Sequence, residues 1–139
     1  MQNGTASPLT RDEIFGMEDI LVEEVTIPMW NNRTVLVCGL SAAAKNQYQQ
    51  SLVEMKGGTQ KLRLENSTAK LVALTVVNQD RQRIFTERDI EKLGTKSAAA
   101  LELIVEAANR LSGMTKKEVE DLVKNSEPSQ SDDSSSVSP

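Results

Sequence analysis

Two short apolar runs on either side of Asn31-Asn32 constrain this chain more than any other stretch. Val25, Ile27 and Met29 alternate with Glu24, Thr26 and Pro28, the period-two pattern of a half-buried strand. Pro28 places that strand at a sheet edge, because proline cannot donate to a neighbouring strand. Asn tolerates positive φ better than most non-glycine residues, so Asn31-Asn32 predicts a tight turn. The return run Thr34–Cys38 is apolar on both faces and is closed by Gly39. A β-hairpin over about residues 23–39 follows. A lone hairpin is marginal in water, so its apolar face must lie against something else.

The remaining signals are helical. Thr10-Arg11-Asp12-Glu13 has the spacing of a capping box ahead of Ile14-Phe15, and Gly16 limits that helix to a short one. Ser41 predicts a helix from Ala42 to Met55 with sparse apolar marks at Ala44, Tyr48, Leu52 and Met55, ended by Gly57-Gly58. Leu64, Thr68, Leu71, Val72, Thr75 and Val76 fit one helical face. The β-branched run Val72–Val77 also suits a strand, and helix is preferred because residues 65–74 show no alternation. Asn78–Arg81 reads as a turn and Ile84-Phe85 as an extended anchor into the core. Thr86–Asp89 is a second capping-box spacing, opening a short helix that Gly94 closes. Ser97–Leu111 is the strongest helix, with Leu101, Ile104, Val105, Ala108 and Leu111 on one stripe and Gly113 as its stop. Thr115–Glu118 opens a last amphipathic helix through Val119, Leu122 and Val123. The expected fold is α+β, mostly α, with an N-terminal β-hairpin packed on a small cluster of four to five helices.

Composition divides the chain into three regions. Residues 1–9 are polar and aperiodic, a flexible N-terminal arm. Residues 10–125 hold nearly all the apolar content and suffice for one domain. Residues 126–139 are Ser-rich and acidic, and cannot bury enough surface to offset their ordering entropy, so a disordered tail is expected there. The 139 residues carry a formal net charge of -4. Glu127, Asp132 and Asp133 supply three of those charges, which leaves residues 1–125 nearly neutral.

Several chemistries lack their residues. The chain has no His and one Cys, so a Ser-His or Cys-His pair, an imidazole metal site, a thiolate cluster and an intrachain disulfide are all excluded. Cys38 sits in an apolar strand pattern without a positive neighbour, which suits a buried thiol in a reducing cytoplasm. Glu23 and Glu24 are adjacent on a strand and point to opposite faces, so they cannot share a proton or a metal. Gly57-Gly58-Thr59 lacks the Lys-Ser or Lys-Thr of a phosphate loop and reads as an interhelical connection. No catalytic, cofactor-binding or metal-binding residue is assigned.

Partners narrow in the same way. Arg81, Arg83 and Arg88 form at most a small basic patch, and the helix after Ser97 opens on three alanines that cannot read bases, so no nucleic acid is expected. The start, Met1 to Leu9, has neither the basic region nor the apolar core of a signal peptide. The longest apolar stretch, Leu71–Val77, is far short of a membrane span, so no membrane is expected. The feature that folding explains least is the hairpin tip, where Met29 and Trp30 stand beside the turn. Trp is enriched at interface hot spots and Met at adaptable surfaces. Met29, Trp30, Tyr48, Leu52 and Met55 are therefore the candidate partner-binding residues.

The order of these features resembles a known family. Asp19-Ile20 through Glu23-Glu24-Val25-Thr26-Ile27-Pro28-Met29-Trp30 leads to the turn and to Val35-Leu36-Val37-Cys38-Gly39-Leu40-Ser41. A polar helix, Leu71-Val72-Ala73-Leu74, Ile84-Phe85-Thr86 and Leu111-Ser112-Gly113-Met114-Thr115 follow. This order is similar to that of the tail assembly chaperones of long-tailed bacteriophages, over roughly residues 10–125. Asn31-Asn32 and Cys38 depart from it, where family members often carry Gly-Gly and a charged residue. The resemblance implies a protein of the host bacterial cytoplasm that binds the tape-measure protein and keeps it soluble until tail-tube subunits polymerise around it. It further implies absence from the mature virion, and a short form paired with a longer, frameshifted one that reaches the tail-tube protein. The alternatives are a structural phage protein such as a head–tail connector subunit, and a small DNA-binding regulator.

Overall fold

The hairpin forms where the two apolar runs place it. In the computed structural model, which describes residues 7–114, strand β1 (Val22–Ile27) pairs antiparallel with β2 (Arg33–Cys38), with Val25 opposite Val35. Between them Pro28–Trp30 makes one turn of 3-10 helix, so Met29 lies past the strand end and not within it. Asn31 and Asn32 then reverse the chain at φ 60° and 58°. Two successive left-handed residues give the turn a twist that matches the strands it joins.

Strand β1 is the sheet edge, as its Pro28 boundary requires, and β2 is central. Its second neighbour is β5 (Val76–Val77), which pairs Leu36 with Val77 and Val37 with Val76. The expected helix over Leu64–Val76 is corrected at both ends. Leu64 precedes it, helix α3 spans Ser67–Thr75, and the last two β-branched residues leave as the strand. Thr75, fully buried, donates its hydroxyl to the Leu71 carbonyl at 2.7 Å, which satisfies it within the helix just before the switch. The helical and strand readings of Val72–Val77 are each right for part of the run.

A second correction concerns the middle of the chain. The helix expected to reach Met55 stops at Ser51, so helix α2 is Ala42–Ser51, capped by the Ser41 hydroxyl. Val53–Lys56 (β3) and Thr59–Leu62 (β4) form a separate two-stranded hairpin. Gly57 and Gly58 sit at φ 58° and 80°, so they are a hairpin turn and not an interhelical connection.

The other elements follow their local chemistry. Helix α1 (Arg11–Phe15) carries the full capping box between Thr10 and Glu13 and ends at Gly16. A 3-10 turn (Glu87–Asp89) with the Thr86–Asp89 capping box leads into α4 (Ile90–Leu93), closed by Gly94. Helix α5 (Ala98–Leu111) is capped by Ser97, and Gly113 follows at φ 73°. The observed class is α+β, with a three-stranded sheet against helices. The helix expected from Thr115 and the Ser-rich tail lie outside the described residues.

The core lies between one sheet face, α3 and α5. Ile27, Val37 and Val76 from the sheet meet Ala100, Leu101, Ile104, Ala107 and Ala108 of α5 and Ala69, Val72 and Ala73 of α3. Alanines on both helices permit close approach, and α3 is buried nearly all round. Glu23 shares the α5-facing side and receives a two-pronged bond from Arg110, at 2.5 and 3.2 Å. Alternation turns Glu24, Leu36 and Val77 to the opposite face, where Glu24 is exposed and Leu36 half-buried.

Candidate functional site

An apolar concavity with a wall from a candidate residue runs between α2, α3 and the segment leading into α4. It has a volume of about 470 Å³, within the range of sites that take a substantial apolar ligand. Ala44 and Tyr48 line it from α2, Leu74 from α3, then Phe85 and Ile90. Gln47, Ser51, Lys70, Arg83, Thr86 and Glu87 line it as well.

The sequence builds this groove by simple means. Helix α2 has no fully buried residue and meets the core only through the half-buried Ala44 and Tyr48. It is also clamped to the α3 region by side chain to backbone bonds. Tyr48 Oη donates to the Ser67 carbonyl at 3.3 Å, and Lys70 Nζ donates to the Ser51 carbonyl at 3.3 Å. Burial raises the Tyr48 hydroxyl above the usual tyrosine value, so it stays a neutral donor. On the opposite wall, Phe85 precedes the Thr86 cap and Ile90 follows it by four positions. That is the spacing of a hydrophobic staple, which brings both side chains to one place.

The expected partner-binding residues do not share one surface. Met29 is 45% exposed at the hairpin tip. Trp30 is half-buried against the core, where the 3-10 turn meets α5. Tyr48 is in the groove. Leu52 is 4% exposed and belongs to the interior. Met55 is on β3, not on a helix, and is 65% exposed. Leu74, Phe85 and Ile90 were not among the expected contacts, and the staple spacing around Thr86 was the signal for two of them. Ile84, expected as a core anchor with Phe85, is about half exposed.

Among the described residues no group of three or more His, Cys, Asp or Glu is placed to hold a metal ion. No helix among them is long and apolar enough to cross a membrane. Arg81 donates to the Ile20 carbonyl at 3.2 Å, while Arg83 faces the groove, so the two serve different places.

Comparison with known proteins gives one family. A family model described as phage tail assembly chaperone matches residues 16–125. Among solved structures, that of the bacteriophage HK97 tail assembly chaperone is similar, at 16% identity and a TM-score of 0.47. The similarity covers 65% of this chain and 84% of that one. No curated protein matches.

Proposed function

The chain belongs to the phage tail assembly chaperone family, and on that premise we propose that its client is the tape-measure protein. It binds apolar segments of that long protein in the host cytoplasm and keeps them soluble until tail-tube subunits polymerise around them. It is then released and is missing from the finished particle. A longer frameshifted form would extend the same domain toward the tail-tube protein.

The observation that carries this reading is the groove of Tyr48, Leu74, Phe85 and Ile90, whose apolar surface is lined also by Lys70, Arg83 and Glu87. An amphipathic helix seats its apolar side chains in such a trough and keeps its polar face in water. The exposed Met29 and Met55 add adaptable contacts that fit varied sequences. A chaperone must also let go, so a modest affinity suits the role.

Co-purification of the tagged full chain with the tape-measure protein of the same phage tests the reading. Phe85→Ala and Met29→Asp, each with an unchanged circular dichroism spectrum, should reduce recovery of the client at least fivefold. Full recovery with both variants would remove the groove and the tip from the proposal. Mass spectrometry of purified particles should find no copy of the chain, and a stoichiometric copy would favour a structural role.

A further inference from the structure

We infer that residues 115–124 of this chain fold back as a helix into the groove between α2, α3 and the start of α4, and cover it in the free protein. The contact is made within one molecule and does not depend on which client the groove takes. Tyr48, Leu74, Phe85 and Ile90 are each only half-buried, so the groove keeps apolar surface that no described residue covers.

The described chain ends at the right place. Met114 is buried in the core at 3% exposure. One residue earlier, the Gly113 carbonyl accepts from Lys45 Nζ of α2 at 3.5 Å. Leu40, just ahead of the Ser41 cap of α2, donates its amide to Ser112 Oγ at 2.9 Å. Thr115 is therefore tethered beside the first turn of α2, the helix whose Ala44, Gln47, Tyr48 and Ser51 form one wall of the groove. Ten residues of helix extend about 15 Å, which matches the ten-residue α2. A helix begun there and run alongside α2 spans the groove from end to end. The family match runs to residue 125, which groups this segment with the domain and not with the Ser-rich tail.

The segment's sequence fits the lining. Thr115 and Glu118 have capping-box spacing, and Val119, Leu122 and Val123 fall on one helical stripe. In helical projection Glu118 flanks that stripe on one side and Lys116 and Glu120 on the other, with Lys117, Asp121 and Lys124 at the back. The groove carries the inverse set, Lys70 and Arg83 with Glu87. Among the described residues, neither Lys70 nor Arg83 has a carboxylate within ion-pair distance. Two acids and one base on the segment thus meet two bases and one acid on the walls, a complementarity that fixes register more than it adds affinity. Covalent attachment decides against the same segment of another molecule. A short tether holds it at an effective concentration of about millimolar, roughly a thousandfold above a second copy at micromolar concentration.

Disulfide trapping in the full chain tests this. In a Cys38→Ser background, Gln47→Cys with Val119→Cys should oxidise to a crosslinked monomer. It should do so at least tenfold faster than Gln47→Cys with Asp121→Cys, a position at the back of the projection. Lys70→Glu with Arg83→Glu should slow the crosslink at least threefold, and adding Glu118→Lys with Glu120→Lys should restore it. In the parent chain Leu122→Asp, with unfolding still cooperative, should raise the fluorescence of the apolar dye ANS several-fold. Adding Phe85→Ser should remove that increase. Equal oxidation of the two cysteine pairs overturns the inference, as does a crosslinked dimer in place of the monomer. ANS fluorescence that Leu122→Asp leaves unchanged overturns it equally.

Discussion

Gly39 ends β2 at a point where a Cβ would lie 2.6 Å from the Leu111 carbonyl oxygen. The neighbouring Leu40 amide donates to Ser112 Oγ at 2.9 Å, so strand end and helix end are joined over two residues. Neither backbone can give way cheaply, and Gly39→Ala should cost about 2 kcal/mol or more in urea denaturation. Glu23 makes the other link to α5. The hydrogen bond from Arg110 holds its carboxyl below the usual carboxylate range. A carboxyl depressed in the folded state contributes stability that is present above the unfolded value and is lost as pH falls through the folded one. Glu23→Gln should therefore flatten the acid side of a stability-against-pH profile below about pH 4.5 and leave the neutral region little changed, because both groups are exposed. The Asn31-Asn32 turn and the caps at Thr10, Ser41, Thr86 and Ser97 were legible in the sequence, since each is decided by a residue's own backbone chemistry. Gly39 was legible as a strand end, but its close partner lies 72 residues away and leaves no local sign.

At the scale of elements, α5 and the β1–β2 hairpin were readable because their periodicity is strong and undisturbed. The β3–β4 hairpin was not. Ser41 opens a helix convincingly, and the few apolar residues after it do not reveal where the period changes. Leu52 marks the change only through its burial. Gly57-Gly58 does carry a hairpin signal, and both residues use it at positive φ. Nothing lies within 4 Å of a Cβ placed on Gly58, so Gly58→Ala would incur only the left-handed backbone penalty, about 1 kcal/mol. Amide exchange should then accelerate in Val53–Lys56 while α3 and α5 keep their protection. Uniform acceleration across the chain would mean that the second hairpin is part of the global folding unit. Strand β5 was obscured for a different reason. Two residues are too few to show alternation, and Val76-Val77 becomes a strand because β2 offers it a partner.

For the whole molecule, the family assigns a role in phage tail assembly, and the groove between α2, α3 and the start of α4 is the surface on which the proposed client contact is argued. The groove was only partly legible. Tyr48 was expected as a contact and the spacing of Phe85 and Ile90 around Thr86 is a local signal, whereas only packing brings α2 and Leu74 to that pair. The neutral body suits a binder of apolar segments, because no strong field of one sign has to be matched by the client. The most direct measurement of the central claim is the soluble yield of the tape-measure protein, expressed alone and together with this chain. Co-expression should raise the soluble fraction several-fold, and Phe85→Ala with Met29→Asp in one chain should return it toward the level without chaperone. An unchanged soluble fraction, with the chain folded and abundant, would contradict the claim that it holds the tape measure.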